Sequence, residues 1–406
     1  MHKFEKVEYK PIPVRELLLQ MKNISELMID LAYSSALYND KDLAEDVLAL
    51  EDRVDNLAYL LEMEIMLAAR DPKDAEQLIG VSTVAASADK ISDAAGDIAA
   101  IVTRNIGIHP IIGEIFEKVE ERIMKVTVQP NSSLIEKQIG ELDLAASMGV
   151  DIIAIRRNHD WILNPNKQER VYQADILITR GAPSGVEEFK DLAEGDLTTM
   201  DGENRVKFEE IVSRFVELKD TSELMMDLAY SALMLNSKDL ADEVERLEER
   251  MDDMHTDFEL LALKSGFKNE EAPGFLGLIR LGMATDKIAD AAAEIAEVVL
   301  RGIEPHPILK LAIREAEETV MQTKVTLDSQ LIGKSLKEAR IHDETGMWVL
   351  VIKRDDLCVR PRPDTKIRAG DILVASGYAE GTDALKRLAS SKQEDSSEDT
   401  ENTDDI

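Results

Sequence analysis

Among the carboxylates that stand four residues apart in this sequence are Glu51/Asp55, Asp89/Asp93, Glu248/Asp252 and Asp286/Asp290. On a helix, residues i and i+4 share a face with Cβ atoms about 5–6 Å apart, where two like charges repel unless a positive group lies between them. Two such helices packed antiparallel would offer four carboxylates to one divalent metal. Oxygen donors with no neighbouring Cys and few His favour Mg, Ca, Mn or Fe over structural zinc. The competing reading is a solvated acidic surface, because Asp and Glu number 81 against 48 Lys and Arg, a net charge of −33.

A second constellation is cationic. Arg156-Arg157 closes the run GVDIIAIRR and Lys353-Arg354 closes GMWVLVIKR, and Arg360, Arg362, Lys366 and Arg368 extend the second patch. On so acidic a chain these are candidate anion contacts; pairing with nearby acids such as Asp355 and Asp356 is the alternative. His109 and His306 each precede Pro and stand where a helix starts, as a capping residue or as a protonatable ligand. The six histidines give no HExxH and no nucleophile–base–acid series, and neither GxGxxG nor GxxxxGK[ST] occurs, so nicotinamide binding is disfavoured and no catalytic step is expected. Phosphate neutralisation needs clustered cations, so nucleic acid is not the expected partner. The single Cys358 excludes an intrachain disulfide and points to a cytoplasmic compartment, and the net charge of −33 to a salt-rich one. No charge-free run exceeds 77–88, far short of the roughly 20 residues of a membrane span.

The elements that must position these groups are written twice. ISELMIDLAYSSAL from Ile24 recurs as TSELMMDLAYSALM from Thr221, and the same offset carries Asp89-Lys90-Ile91 onto Asp286-Lys287-Ile288 and His109-Pro110 onto His306-Pro307. One residue drops out near Arg157, which places a hairpin loop there. Leu43, Val47, Leu50, Val54, Leu57 and Leu61 step by four and three, as do Leu240, Val244, Leu247, Met251, Met254 and Phe258, the mark of one buried helix stripe in each half. Val84, Ile91, Ala95, Ile98 and Val102, matched by Leu281, Ile288, Ala292, Ile295 and Val299, define another helix, so each half predicts a bundle of three or four helices. A strand, short helix, hairpin and closing strand follow in each half, with Gly149 and Gly346 turning into the hairpin and Trp161 and Trp348 packing on strands.

The strand-rich segments, with VTV and VTL openings, Ser-Leu-Ile and Gln-Leu-Ile-Gly-Lys helix starts, Ile-Arg-Arg and Ile-Lys-Arg strand ends and closing Ala-Asp-Ile-Leu and Gly-Asp-Ile-Leu, resemble TrkA-C domains, the C-terminal subdomains of RCK proteins. The first copy departs from that pattern at Glu136 and at Gln173-Ala174. The helical segments resemble PhoU domains, whose metal motifs are acidic pairs of the spacing above. The resemblance implies an α+β protein: a PhoU-like domain over 12–122, a TrkA-C subdomain over 123–190, a linker over 191–206, a second PhoU-like domain over 207–320, a second TrkA-C subdomain over 321–390 and a disordered acidic tail over 391–406. It implies a cytosolic, archaeal-type regulator peripheral to a potassium channel or transporter, paired within the chain or across a homo-oligomer. Cyclic di-AMP or another nucleotide is the implied effector at the TrkA-C pair, placed at Arg156, Arg157, Lys353 and Arg354. The alternative is a metal-binding regulator of phosphate uptake; a metal-dependent hydrolase rests on the acid pairs alone.

Overall fold

The computed structural model describes residues 7–158, 160–194, 208–354, 357–359, 361–362 and 364–390. The acidic tail 391–406 and most of the expected linker 191–206 lie outside the described residues. So do Asp355, Asp356 and Arg360.

In the first half, α1 (Val14–Tyr38), α2 (Lys41–Ala68) and α3 (Pro72–Thr103) are long helices, followed by the short α4 (Ile111–Phe116). Asn39 in the left-handed region ends α1, and the Asp40 carboxylate accepts from the Leu43 N–H to start α2. Asp71 caps α3 in the same way, with Pro72 at its first turn. The sheet elements are β1 (Arg122–Thr127), α5 (Ile139–Leu142), α6 (Leu144–Met148), β2 (Val150–Arg157), β3 (Asp160–Leu163), β4 (Ile176–Gly181) and the covering helix α7 (Pro183–Glu194). The second half repeats the plan: α8 (Glu209–Leu235), α9 (Lys238–Lys264), α10 (Ala272–Leu300), α11 (Pro307–Glu315), β5 (Glu318–Lys324), α12 (Leu336–Ala339), α13 (Ile341–Thr345), β6 (Met347–Arg354), β7 (Leu357–Val359), β8 (Ile372–Tyr378) and α14 (Thr382–Ala389).

Both sheets are four-stranded and antiparallel, ordered β1-β4-β2-β3 and β5-β8-β6-β7, and both break register at the same point of the central strand, between Ile152 and Ala154 and between Val349 and Val351. Each sheet lies between two apolar layers. Ile123, Ile153 and Ile178 face the helical core, while Leu177 and Ile155 face Phe189 and Val186 of α7. In the second half Val320, Leu350 and Val374 face the bundle, and Leu373 and Ile352 face Leu385 of α14.

The two bundles share one core. α3 and α10 run antiparallel against each other, with Gly80 against Val298 and Gly277 against the Gly107 carbonyl, so small residues let the backbones approach. The two sheet subdomains also meet within the chain, through α6 and α13. Gly149 has φ +62, and a Cβ there would lie 2.7 Å from the His342 carbonyl oxygen and 3.5 Å from the Cα of Gly346. These two glycines therefore serve a close approach as well as a turn.

One sequence expectation needs correction. Arg157 pairs with Asp160 and Arg354 with Leu357, so the hairpin turns match in length; the bridges Gln138↔Arg170 and Ser335↔Lys366 show that the lost residue falls in the β3–β4 connection. A tight turn is fixed by strand register, whereas a longer surface loop absorbs a deletion. Trp161 and Trp348 pack against the helical core as expected, each half-buried, with Trp161 beneath Arg156 and Trp348 stacked on His342. The recurrent histidines are helix caps, since His109 Nδ1 accepts from the Ile111 N–H and His306 Nδ1 from the Ile308 N–H, both at 3.2 Å.

Candidate functional site

The antiparallel packing of α2 on α3, and of α9 on α10, brings each quartet of acids onto one inter-helix face. In the first half Asp55 shares a hydrogen bond with Asp89, and burial followed by the Asp55 charge pushes Asp89 up to about 6. Glu51 is pushed up to about 7 by burial and then by Asp93. Its carboxylate lies against Gly96, where any Cβ would collide with it. In the second half one ligand oxygen each from Glu248, Asp252 and Asp290 lie within 4.8 Å of one another. Burial raises both Glu248 and Asp290, with Asp252 adding to each. Asp286 instead meets His255, its Oδ2 3.0 Å from the imidazole Nδ1. Asp89 Oδ1 and Asp286 Oδ1 are buried without a hydrogen-bond partner. Crowded, desolvated carboxylates with unsatisfied oxygens suit a bound cation, which would offset both the burial and the mutual repulsion behind these shifts. At the far end of each stripe the acids already have partners across the α3–α10 contact: Lys287 binds Asp97 at 2.7 Å and Lys90 binds Glu294.

The strand-end cations are held by acids. Arg157 takes both oxygens of Asp175 at 2.9–3.1 Å together with Glu169, and Arg354 takes both oxygens of Asp371 at 2.8 Å. The same arginine also donates to a loop carbonyl in each copy, Arg170 or Lys366. Arg156 bridges to Asp40 at 3.2 Å and Asp42 at 2.9 Å, tying the first sheet to its bundle. Lys353 is half-buried on β6. None of these four lines the large cavity of the molecule.

That cavity, about 1250 Å³, opens between the helical core and the second sheet subdomain. The copies differ at its margin. In the first half Arg180 of β4 reaches the cavity, 2.5 Å from Asp30 and also bonded to Glu318. The matching residue of β8 is Ser376, whose hydroxyl donates to the lining residue Asp227 at 2.7 Å. Burial, against the favourable Ser376 bond, pushes Asp227 up to about 7. Its lining carries twelve acids, Asp227, Asp239 and Asp242 among them, and the cations Arg180, Arg246, Lys337, Arg340 and Arg362 together with Trp348. Trp348 stacks on His342 with ring centres 3.6 Å apart, and burial holds His342 down at about 3, a neutral imidazole at ordinary pH. An aromatic platform in a lining of cations and carboxylate acceptors can hold a planar ligand that carries both negative charge and hydrogen-bond donors. Sequence reasoning missed Arg180, Ser376, Arg340 and His255. For His255 the signal was present, since Glu248, Asp252, His255 and Glu259 recur at helical spacing.

Family models match the TrkA-C domain at residues 123–194 and 320–390 and the PhoU domain at 18–102 and 215–299. A probable potassium channel protein 2 of Methanocaldococcus jannaschii is 35% identical over 88 residues, 21% of this chain and 26% of that protein. The Ktr system potassium uptake protein C of Bacillus subtilis is 31% identical over 103 residues, 25% of this chain and 46% of that protein. The chain thus spans less than half the length of the curated relatives it matches. Among solved structures, PhoU from Pseudomonas aeruginosa aligns at TM-score 0.39 and 16% identity, over 71% of this chain and 96% of that one. The GsuK channel bound to NAD aligns at TM-score 0.18 and 12% identity, over 66% and 53%. Among the described residues no helix is long and apolar enough to cross a membrane. With two PhoU domains and two TrkA-C domains alternating along its length, the chain belongs to the tandem PhoU and TrkA-C proteins.

Proposed function

We propose that this protein is a regulatory subunit of a monovalent-cation channel or transporter, for potassium, acting by binding an effector and not by making or breaking bonds. The observation that carries the proposal is the cavity beneath the second TrkA-C subdomain, where a ligand would touch the helical core and the sheet subdomain at once. A ligand that contacts both bodies binds one of their relative arrangements more tightly than another and so shifts the population between them. Nucleotide, with cyclic di-AMP first among candidates, belongs here in this proposal, since the strand-end cations at Arg156, Arg157 and Arg354 are engaged by acids. Trp348 would stack a base and Lys337 and Arg362 would meet phosphate, Arg340 being held by Asp343 at 2.8 Å. The potassium relatives support the transported ion. The acid quartets are proposed as divalent-metal sites that fix the helix pairs, with Glu51, Asp55, Asp89 and Asp93 in one and Glu248, Asp252, Asp286 and Asp290 in the other.

Deleting the gene in its own host and measuring rubidium and phosphate uptake in parallel tests the reading. Altered rubidium uptake with unchanged phosphate uptake is expected. The reverse pattern would favour the regulator of phosphate uptake instead.

A further inference from the structure

The duplicated acidic faces are not chemically equal. At the position of His255 on α9 the first half has Ala58 on α2, while the neighbouring acids Glu51, Asp55 and Glu62 all have acidic counterparts in Glu248, Asp252 and Glu259. His255 is 15% exposed and lies one turn along the helix from Asp252, on the same face. Its Nδ1 sits 3.0 Å from Asp286, so a neutral imidazole donates there and leaves the lone pair on Nε2. That Nε2 is buried and has no hydrogen-bond partner; Glu259 is 3.7 Å away, too far for one. A separation of this size is close to that of two donors on one ion, each about 2.0–2.2 Å from it. The carboxylate–imidazole arrangement, with the carboxylate fixing the ring, is how metal-ligating histidines are oriented.

From this we infer that the two faces have diverged in the metal they select: His255, through Nε2 and with Glu259, makes the second face a mixed nitrogen and oxygen site for a transition-metal ion, while the first face keeps only oxygen donors for a hard cation. Imidazole raises affinity for the borderline divalent ions and adds little for magnesium or calcium. The inference rests on the proposed metal-binding role of the acid quartets and assigns them different ions. A gene doubled to give matched faces would then report on two cation pools through one core.

The test uses the full chain stripped of metal, titrated with Co²⁺ and with Mg²⁺ by calorimetry, with Co²⁺ visible absorption recorded alongside. Wild-type protein is expected to show a Co²⁺ site that His255→Ala and His255→Gln each weaken by at least about tenfold, with a changed ligand-field spectrum, while the Mg²⁺ isotherm is unmoved. Ala58→His should add a second Co²⁺ site of similar spectrum in the first half, which guards against misfolding of the loss variants. Co²⁺ isotherms and spectra that coincide in wild type and both His255 variants, while Asp252→Ala abolishes binding, would overturn the divergence and leave the metal faces standing. Absence of Co²⁺ and Mg²⁺ binding to wild type would overturn both, and an imidazolium simply bridging Asp286 and Glu259 would then account for the geometry.

Discussion

The ammonium of Lys22 lies 4.6 Å from the ring centre of Tyr230 in the other half of the chain. Its counterpart reciprocates, Lys219 lying 5.7 Å from the ring centre of Tyr33. Each lysine is buried and bound to the glutamate one turn on, Lys22 to Glu26 at 2.5 Å and Lys219 to Glu223. Exchange of cations and rings across the junction is how the doubled sequence becomes one body. Removing one partner of such a pair leaves a buried charge, so Lys219→Met should cost on the order of 3–5 kcal/mol. Lys219→Met combined with Glu223→Gln should recover much of that, as read by chemical denaturation of both variants.

Gly149 and Gly346 test the pairing of the sheet subdomains. Both have left-handed φ; a Cβ at Gly149 would press on the His342 carbonyl of the opposing copy at 2.7 Å, and one at Gly346 on the Ala145 carbonyl of the opposing copy at 3.3 Å as well as on the Tyr378 ring of its own copy at 2.7 Å. Gly149→Val should therefore destabilise by roughly 1–3 kcal/mol and expose the α6–α13 contact. Hydrogen exchange in α6 and α13 should rise before it rises in α3.

Acidification should stabilise the metal-free protein. Asp227 has a folded-state pKa of about 7 and Glu51 also about 7, each raised first by burial, against roughly 4 in the unfolded chain. The folded state therefore holds these protons more tightly. Their contribution is complete below about pH 4 and fades as pH rises through 7. Thermal midpoints of chelated protein should rise from pH 8 to pH 6, and Glu51→Gln should flatten that dependence.

Divalent metal should reverse the same penalty. Adding it to chelated protein at pH 8 should raise the midpoint, because an ion that binds only the folded form stabilises by about 2.7 kcal/mol at a hundred times its dissociation constant. Asp89→Ala with Asp286→Ala should remove the gain, measured by scanning calorimetry with and without chelator.

Much of the architecture was legible because it obeys local rules. The stripes through Val47 and Val244 and the pairs Asp89/Asp93 and Asp286/Asp290 follow helical spacing, and duplication made each visible twice. The acid faces could be placed from spacing alone. The cavity could not, since it is lined by residues as far apart in the chain as Asp30, Arg180, Asp227 and Trp348, and their meeting has no period along the chain. The strand-end cations misled for a related reason. Pairing with acids was foreseen for Arg157 and Arg354, but Asp175 and Asp371, 18 and 17 residues away, return beside them only once β4 and β8 pair with the central strands.

Calorimetric titration of the full chain with cyclic di-AMP and other adenine nucleotides, beside the Ser376→Arg variant that sets an arginine against the cavity-lining Asp227, bears most directly on the regulatory account. Binding of one nucleotide per chain, weakened at least about tenfold by Ser376→Arg and by Trp348→Ala, is the predicted result. Failure of every nucleotide to bind, or binding indifferent to both substitutions, would contradict it.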